Sequence, residues 1–391
     1  MSFLILAVTR LSLSQPSSNL PPVLAGPILR RLDSQRLVLW LVGSSSLSLD
    51  LILEPEGCPP QRIPLDTDQC RIVQLGKHAF IHFIDVALSA PLPQDTLVHY
   101  DLIHSTASGT EQGIADWSPH LLHQGQTRPN FVLASRADNL MFGSCRKPHH
   151  ASRDGLAQAD TVLSERITQA HARPALLMLS GDQVYADDVA GPMLRAIHQL
   201  IPRLGMPVEQ LQGIEAAGVS NADDLYRHPD TYYRREKLLP SHKRNRALVE
   251  VLFGGVEKPV FTTDSAHNHL ITLAEVLAMY LLVWSPTPWQ GLDLSAPEGL
   301  DEEQLDLYED ERQAIEGFAA GLPAVRRVMA HLPVAMIFDD HDVTDDWNLS
   351  REWEEIAYGH PFSRRVIGNA LMGYLMAQGW GNRPEAFNRE L

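Results

Sequence analysis

Three short clusters of chemically active side chains each follow an apolar run of the kind that forms a buried β-strand. They are Gly143-Ser-Cys-Arg146, Gly181-Asp-Gln-Val-Tyr185 and Asp339-Asp-His-Asp342. In open α/β sheets, ligands bind beyond the carboxyl ends of the parallel strands. We therefore expect the three clusters to meet in space, although about 200 residues of chain separate the first from the last.

The residue types in these clusters are those of metal ligands. Asp182, Asp340 and His341 offer oxygen and imidazole groups, while Tyr185 offers a phenolate and Cys145 a thiolate. Several anionic groups share one cleft only when a cation lies between them. A carboxylate, a phenolate and a thiolate together suit a trivalent metal such as iron better than magnesium alone. Two metals would stabilise both the attacking and the leaving oxygen of a displacement at phosphorus.

Each cluster also has a structural interpretation. Cys145 alone would be an ordinary buried thiol, and a Gly-Asp pair such as Gly181-Asp182 is common in turns. A helix N-cap accounts for one carboxylate of the third cluster but not for three. Arg146 has the geometry to hold a phosphate through two parallel hydrogen bonds. The three clusters together favour a metal site.

The elements that must position these residues are three parallel strands. Apolar runs at 139–143, 175–180 and 333–338 immediately precede the clusters, and a helix with Leu156, Ala159, Leu163 and Ile167 follows the first strand. Continuous apolar strands of this type belong to parallel sheets that are covered on both faces. A second short helix, with Val325, Val328, Met329 and Leu332, precedes the third strand.

The chain divides into an all-β part and an α/β part. Residues 1–22 form a lead-in segment rich in Ser and Pro, and 23–128 carry short alternating runs, such as Leu47, Leu49, Leu51 and Leu53, that predict a β-sandwich. Residues 129–391 form the α/β part, with a helical insertion at about 190–320 that includes an exposed acidic run at 301–311.

The composition excludes several classes of protein. The 391 residues include 32 Lys and Arg against 48 Asp and Glu, which gives a net charge of −16. A protein that binds a nucleic-acid backbone normally carries a basic excess, so that partner is not expected. The longest apolar stretch, 270–284, contains Glu275 and is too short to span a membrane. Three cysteines argue against a disulfide framework.

The motifs resemble those of the PhoD-like alkaline phosphatases of the calcineurin-like metallophosphoesterase superfamily. The resemblance rests on the three clusters, extended to Gly181-Asp-Gln-Val-Tyr-Ala-Asp187 and Phe338-Asp-Asp-His-Asp-Val-Thr-Asp-Asp-Trp347, and it covers residues 139–391. It implies an α/β, sandwich-type metallophosphoesterase core preceded by an all-β sandwich.

The resemblance also implies an activity and roles for individual residues. The expected reaction is hydrolysis of phosphate monoesters or diesters by a metal-bound hydroxide at a dinuclear site with iron and calcium. Cys145, Asp182 and Tyr185 would hold the iron, and Asp182 would bridge to a second metal that Asp340 also binds. His341 would act as a general acid or orient the phosphate. Supporting positions are Asp339 and Asp342, with Asp346 and Asn348 as weaker candidates.

One family motif has no counterpart in the sequence. We find no C-terminal strand ending in a Gly-Asp-x-His motif after Val343, and 382–391 reads as a helical linker. We therefore expect a shortened form of a longer protein, with a small phosphoester, a phospholipid or a nucleotide as substrate. A cytoplasmic location is expected, with export as the alternative. The alternative functions are a non-catalytic protein that keeps a relic metal site and acts through its β-sandwich, and a structural cation-binding protein.

Overall fold

The computed structural model describes residues 20–106, 108–213, 218–239, 261 and 266–387. The predicted lead-in segment up to position 19, residues 240–260 of the predicted helical insertion and the last four residues lie outside these ranges. The fold is mixed α/β, as expected. Its strands are β1 Val23–Asp33, β2 Arg36–Gly43, β3 Leu49–Pro55, β4 Gln61–Pro64, β5 Cys70–Gly76, β6 Ala79–Ala87, β7 Leu97–Ser105, β8 Glu111–Gln112, β9 Asn130–Val132, β10 Leu140–Gly143, β11 Leu176–Ser180 and β12 Val334–Ile337.

The helices lie mainly between and after the last three strands. The α-helices are α1 Ile114–Trp117, α2 Gly155–Ser164, α3 Gly191–Leu204, α4 Ala222–Tyr226, α5 Leu273–Trp284, α6 Glu302–His331, α7 Arg351–Gly359, α8 Pro361–Tyr374, α9 Trp380–Asn382 and α10 Pro384–Phe387. In the described part of the chain, six short 3-10 helices lie between them, and a π-helix spans Leu375–Gly379. Within the described ranges, none of the helices combines the length and apolar character that crossing a bilayer requires.

The strands up to β9 form two antiparallel sheets. One has the order β1-β2-β6-β5, and the other has the order β4-β3-β7-β8 with β9 paired to β7. Leu39 and Ile84 of the first sheet and Leu51 and Leu102 of the second share one buried apolar cluster, because inward and outward side chains alternate along each strand. Strand β9 extends this β-rich part slightly beyond the expected boundary at 128. The division into separate domains remains a prediction.

The remaining three strands form the parallel sheet that the apolar runs predict. Strand β11 is central, and it pairs in parallel with β10 on one side and with β12 on the other. The outer edge of β12 is closed by a side chain, since Asn382 accepts a hydrogen bond from the Met336 amide and donates one to the Met336 carbonyl. The carboxyl ends of all three strands therefore lie at one edge of a single sheet.

Two expectations about this sheet and its helices were wrong. The sheet is not covered on both faces, because Leu140, Phe142, Met178 and Ile337 are exposed on one of them, and Phe142 reaches 72% exposure. An apolar run shows that a strand is buried but does not distinguish one buried face from two. The predicted short helix before β12 and the acidic run at 301–311 belong to one 30-residue helix, α6, which starts at an Asp301 capping box.

The β-rich and α/β parts are packed against each other. Trp40 of β2 meets Trp284 of α5 edge-on at 5.5 Å between ring centroids. Phe83 of β6 lies 4.5 Å from Trp380. The Tyr100 hydroxyl of β7 donates a 2.6 Å hydrogen bond to the Ala330 carbonyl of α6. One apolar cluster thus runs from the first antiparallel sheet into the helices that support the parallel sheet.

Candidate metal centre

The loops after β10 and β11 are joined through their backbones. The Cys145 amide donates to the Gly181 carbonyl at 3.2 Å, and the Arg146 amide donates to the Asp182 carbonyl at 2.9 Å. Cys145 and Asp182 both have a left-handed backbone, with φ of 56° and 45°. Non-glycine residues rarely adopt this conformation. The first two sequence clusters therefore lie side by side at the edge of the sheet.

Gly181 brings the second cluster against the third. Its φ is +122°, and a Cβ atom placed on it would lie 2.9 Å from the Cβ of Asp339. Only glycine combines this φ with such a close approach. Further on, the Ala186 amide donates to the His341 carbonyl at 2.8 Å, and the Val184 amide donates to Asp342 at 3.3 Å. The structure thus brings together all three clusters.

Carboxylates from two of the clusters converge on one point. Asp182, Asp339 and Asp340 each offer an oxygen that lies within 4.8 Å of the others, and Asp340, Asp345 and Asp346 form a second such group. Asp182 is only 3% exposed, and its Oδ1 atom has no hydrogen-bond partner within the part of the chain that the structure describes. Burial raises the pKa of Asp182, contact with Cys145 and the charge of His341 lower it, and the charges of Asp339 and Asp340 raise it.

Tyr185 and Cys145 border the same carboxylate. The Tyr185 hydroxyl donates to Asp182 Oδ2 at 3.5 Å. Its pKa is raised by burial and then by the charges of Asp182 and Cys145. Cys145 is an exposed free thiol. Tyr185 and Cys145 therefore both contact Asp182. Asp340, the fourth predicted metal ligand, approaches Asp182 from the 3-10 helix Asp340–Asp342 that follows β12.

His341 is held at the border of this cluster by a buried carboxylate. Its Nδ1–H donates to Asp187 Oδ2 at 2.9 Å, and the Asp345 amide donates to the same oxygen at 2.8 Å. The ring of His341 stacks on Tyr185 at 4.8 Å between centroids. The hydrogen bond to Asp187 raises the pKa of His341 to about 9. This histidine is therefore protonated at neutral pH, and its Nε2–H is available as a proton donor.

Arg146 is paired with Asp154, which lies outside the acidic cluster of Asp182, Asp339 and Asp340. Its guanidinium forms hydrogen bonds of 2.7 to 3.2 Å with the carboxylate of Asp154 and one of 2.6 Å with the Val283 carbonyl. It also lies 4.5 Å from the centre of the Phe318 ring. In this conformation Arg146 anchors the loop that carries Cys145 to α2 and α5, and its phosphate-binding role remains a prediction.

Asp342 is a structural member of the third cluster. It is 1% exposed, and burial raises its pKa to about 7. Its Oδ1 accepts hydrogen bonds from the Tyr280 hydroxyl at 3.4 Å and from Gln378 Nε2 at 3.1 Å. Asp342 thus connects the 3-10 helix Asp340–Asp342 to α5 and to the π-helix.

Sequence reasoning assigned no role to two further carboxylates, Asp187 and Asp345. Asp187 is fully buried and positions His341, and Asp345 belongs to the second acidic group. Both lie within the quoted motifs. The sequence marks them only as further acidic residues late in the loops after β11 and β12. Acidic residues are also common in ordinary turns, so their positions did not indicate a role.

The donor set fits a metal ion. Carboxylate oxygens dominate it, and hard cations bind oxygen ligands. The buried Asp182 oxygen without a hydrogen-bond partner is costly unless a cation or a donor meets it. The phenol and thiol beside Asp182 extend the set toward a transition metal. The arrangement therefore supports cation binding, although it does not identify the metal.

Comparison with known proteins gives weak similarities only. The sequence matches no protein-family model, and it has no significant match among curated proteins. Among solved structures, one described as the structure of PhoD aligns with a TM-score of 0.34 and 12% identity over 92% of this chain and 47% of that chain. The chain therefore spans about half the length of that structure.

Two other solved structures align less extensively. Purple acid phosphatase PPD1 from yellow lupin (Lupinus luteus) seeds aligns with a TM-score of 0.27 and 9% identity over 46% of this chain and 32% of that chain. The archaellum periplasmic stator complex of FlaF and FlaG from Sulfolobus acidocaldarius aligns with a TM-score of 0.18 and 14% identity over 28% of this chain and 97% of that chain. Similarity at this level assigns the chain to no family, and the function proposed below rests on its own side chains.

Proposed function

We propose that this chain hydrolyses phosphate esters with the help of metal ions bound at the carboxyl edge of the parallel sheet. One observation carries the proposal. A buried aspartate, Asp182, keeps one carboxylate oxygen without a hydrogen-bond partner among the described residues, and its carboxylate lies within 4.8 Å of those of Asp339 and Asp340. Such a group of carboxylates is stabilised by a cation of high charge.

Two neighbouring metal positions are consistent with the donor groups. Cys145, Asp182 and Tyr185 would hold iron, because a thiolate, a carboxylate and a phenolate suit a trivalent transition metal. Asp182 and Asp340 would hold a second cation such as calcium, with Asp339 or Asp345 as additional oxygen ligands. When bound, such metals polarise the phosphoryl group and lower the pKa of water.

The remaining groups of the centre manage protons and position the ester. His341, which Asp187 holds in place, would donate its Nε2 proton to the leaving oxygen or to a phosphoryl oxygen. Arg146 holds the Cys145 loop through Asp154. If it contacts phosphate as the sequence predicts, it must exchange that ion pair for the substrate.

The function is tested with Asp182→Asn, which removes a proposed bridging ligand. We expect hydrolysis of p-nitrophenyl phosphate and bis-p-nitrophenyl phosphate to fall by more than about 100-fold, since losing even a supporting group of a metal site costs 10- to 100-fold. The fold should persist, because the variant replaces a buried charge with a neutral group of the same shape. Comparing the two substrates shows whether monoesters or diesters are preferred.

Asp223→Asn is the matched control for this experiment. Asp223 lies in the first turn of α4, and its side chain is 48% exposed. It forms a surface ion pair with Arg227 at 3.9 Å. Its removal should leave hydrolysis unchanged. If the Asp182 variant keeps wild-type activity, the proposed function is wrong.

A further inference from the structure

A deep cleft opens directly beside the candidate metal centre. It has a volume of about 1000 Å³ and lies between the loop 144–154, the start of α2 and the middle of α6. Cys145 and Gln183, the neighbours of Asp182, line the cleft together with Ser144 and Arg146, so it adjoins the candidate metal centre. This volume is at the upper end of the range found for pockets that enclose small organic ligands.

The walls of the cleft combine an apolar part with polar and charged side chains, among them Lys147, Arg153 and Gln158. The apolar part lies along the strand and the two helices. Leu156 of α2, Leu177 and Leu179 of β11 and Phe318 of α6 contribute side chains to it. Gly317 of α6 leaves room in the cleft, since a Cβ atom placed on it would have no neighbour within 4 Å. Against the apolar part of the walls, burial of apolar ligand surface contributes about 25 cal/mol per Å² to binding.

One polar group of the lining lacks a partner. Gln183 follows Asp182 directly, is fully buried and lines the cleft. Its Nε2 donates to the Gly181 carbonyl at 2.8 Å, which fixes the orientation of the amide. Its Oε1 atom is buried and has no hydrogen-bond partner among the described residues. A buried acceptor of this kind is satisfied by a ligand that carries a hydroxyl or amino hydrogen.

We infer that the cleft binds the organic part of the substrate, an apolar ring-containing group that carries a hydroxyl or amino donor for Gln183. This inference rests on the proposed function for the identity of the ligand as the alcohol portion of a phosphate ester. Esters of such alcohols are then preferred over esters of small polar alcohols such as glycerol. The preference comes from the apolar walls, and Gln183 sets the orientation of the bound group.

The binding step is tested with 2-naphthol, which combines an apolar ring system with one donor, by equilibrium dialysis against the full chain. Gly317→Leu fills the cleft from a helical position with open space beside it, and we expect it to weaken 2-naphthol binding at least 10-fold. Gly368→Leu is the matched control, because Gly368 of α8 is also a helical glycine whose added Cβ would meet nothing within 4 Å. Equal affinity in the two variants would overturn the inference.

The role of Gln183 is tested without a substitution. The wild-type chain should bind 2-naphthol several-fold more tightly than 2-methoxynaphthalene, which lacks the donor hydrogen. Equal binding of the two compounds would remove Gln183 from the inference.

Neither binding measurement needs bound metal or turnover, so the cleft and the proposed function fail separately. The matching ester is 6-hydroxy-2-naphthyl phosphate, which keeps a free hydroxyl on the ring. Cleft-dependent binding of 2-naphthol without hydrolysis of this ester would support the cleft and contradict the function. Hydrolysis of 6-hydroxy-2-naphthyl phosphate and of glycerol 2-phosphate is then compared in the wild type and in Gly317→Leu. If the ratio of the two rates is the same in both chains, the result contradicts the cleft and supports the function.

Discussion

At the scale of single residues, the candidate centre concentrates unusual backbone and side-chain states. Cys145 and Asp182 both hold positive φ angles at the ends of neighbouring strands. Such conformations cost about 1–3 kcal/mol each and persist where the surrounding structure enforces them, often at functional sites. Asp182 adds a buried carboxylate oxygen without a hydrogen-bond partner. These costs fall on the same residues that the metal hypothesis uses.

Tyr185 provides a spectroscopic test of the iron position. Burial and the charge of Asp182 raise the pKa of Tyr185, so its phenolate forms only opposite a strong cation. We expect the iron-loaded chain to show a visible phenolate-to-iron absorption band that Tyr185→Phe abolishes. Tyr308→Phe should keep the band, since the Tyr308 hydroxyl donates to the backbone carbonyls of Leu294 and Ser295 in the loop before α6. An iron-loaded wild type without the band would exclude Tyr185 as a ligand.

The sequence identified the members of the centre better than their partners. Asp182, Tyr185 and Asp340 were selected because polar residues at strand ends converge in parallel sheets, and the structure brings them together. The partner of Arg146 was not predictable, because Asp154 reaches it only through the path of the loop that starts α2. Asp187 was missed for the same reason, since its contact with His341 depends on how two loops interleave.

At the scale of elements, Gly181 is the position where two strand ends are forced together. Gly181→Ala should destabilise the chain by about 2–3 kcal/mol, because it adds a strained φ and a Cβ clash with Asp339. It should also weaken metal binding by separating Asp182 from Asp339. Chemical denaturation and metal titration measure the two effects.

Gly57→Ala is the control for backbone strain alone. Its φ is +79°, and an added Cβ would meet nothing within 4 Å. A cost of about 1 kcal/mol is expected, with metal binding intact. Equal losses of stability and metal affinity in both variants would show that the contact between Gly181 and Asp339 is unimportant.

A buried histidine in β6 makes stability depend on pH. His82 Nε2 accepts a hydrogen bond from the Leu47 amide at 2.9 Å, and its Nδ1–H donates to the Phe80 carbonyl at 3.0 Å. Burial lowers the pKa of His82 from 6.5 to about 4. As the pH falls, His82 therefore takes up a proton in the unfolded chain before it does so in the folded chain. The folded state keeps its full stability above pH 6.5 and loses this contribution as the pH falls toward 4.

The substitution His82→Gln removes this titration. Between pH 7 and pH 5, the wild type should lose on the order of 1–2 kcal/mol more unfolding free energy than the variant does. Urea denaturation at the two pH values measures the difference, in which the contributions of the carboxylates cancel. Identical pH dependence in both chains would contradict the neutral, buried state of His82.

Element prediction succeeded where local pattern decides and failed where packing decides. The three parallel strands were predicted nearly to their observed ends because each is a short apolar run bounded by polar residues. The exposed face of the sheet was not predicted, since the apolar run Leu176–Leu179 does not reveal that Met178 points outward. The single helix α6 was divided because its exposed first half and buried second half show different patterns.

At the scale of the whole molecule, Arg30 of β1 connects the antiparallel sheets to the parallel sheet and the C-terminal helices. It is 3% exposed, and its guanidinium donates to the carbonyls of Val334, Ala377 and Gln378 at 2.8 to 3.1 Å. It also donates to Asn382 at 2.9 Å. Burial lowers the pKa of Arg30 to about 9. Through these contacts the β-rich part stabilises the position of β12 and of the acidic residues 339–342 that follow it.

Neighbouring arginines allow a matched test of this connection. Arg30→Met should lower the free energy of unfolding by about 3 kcal/mol or more, because it leaves several buried carbonyls without donors. Arg31→Met should cost less than about 1 kcal/mol, since Arg31 forms exposed ion pairs with Asp33 and Glu385. Denaturant midpoints give both values. Similar costs for the two substitutions would contradict the connecting role of Arg30.

The most direct test of the metal centre is elemental analysis of the purified chain as expressed, beside its Asp182→Asn variant. We predict near-stoichiometric iron together with a second metal in the wild type, and loss of both in the variant, because Asp182 faces both proposed positions. A wild type that binds no metal, or a variant that keeps the same metal content, would contradict the central claim that the three strand ends form a metal centre.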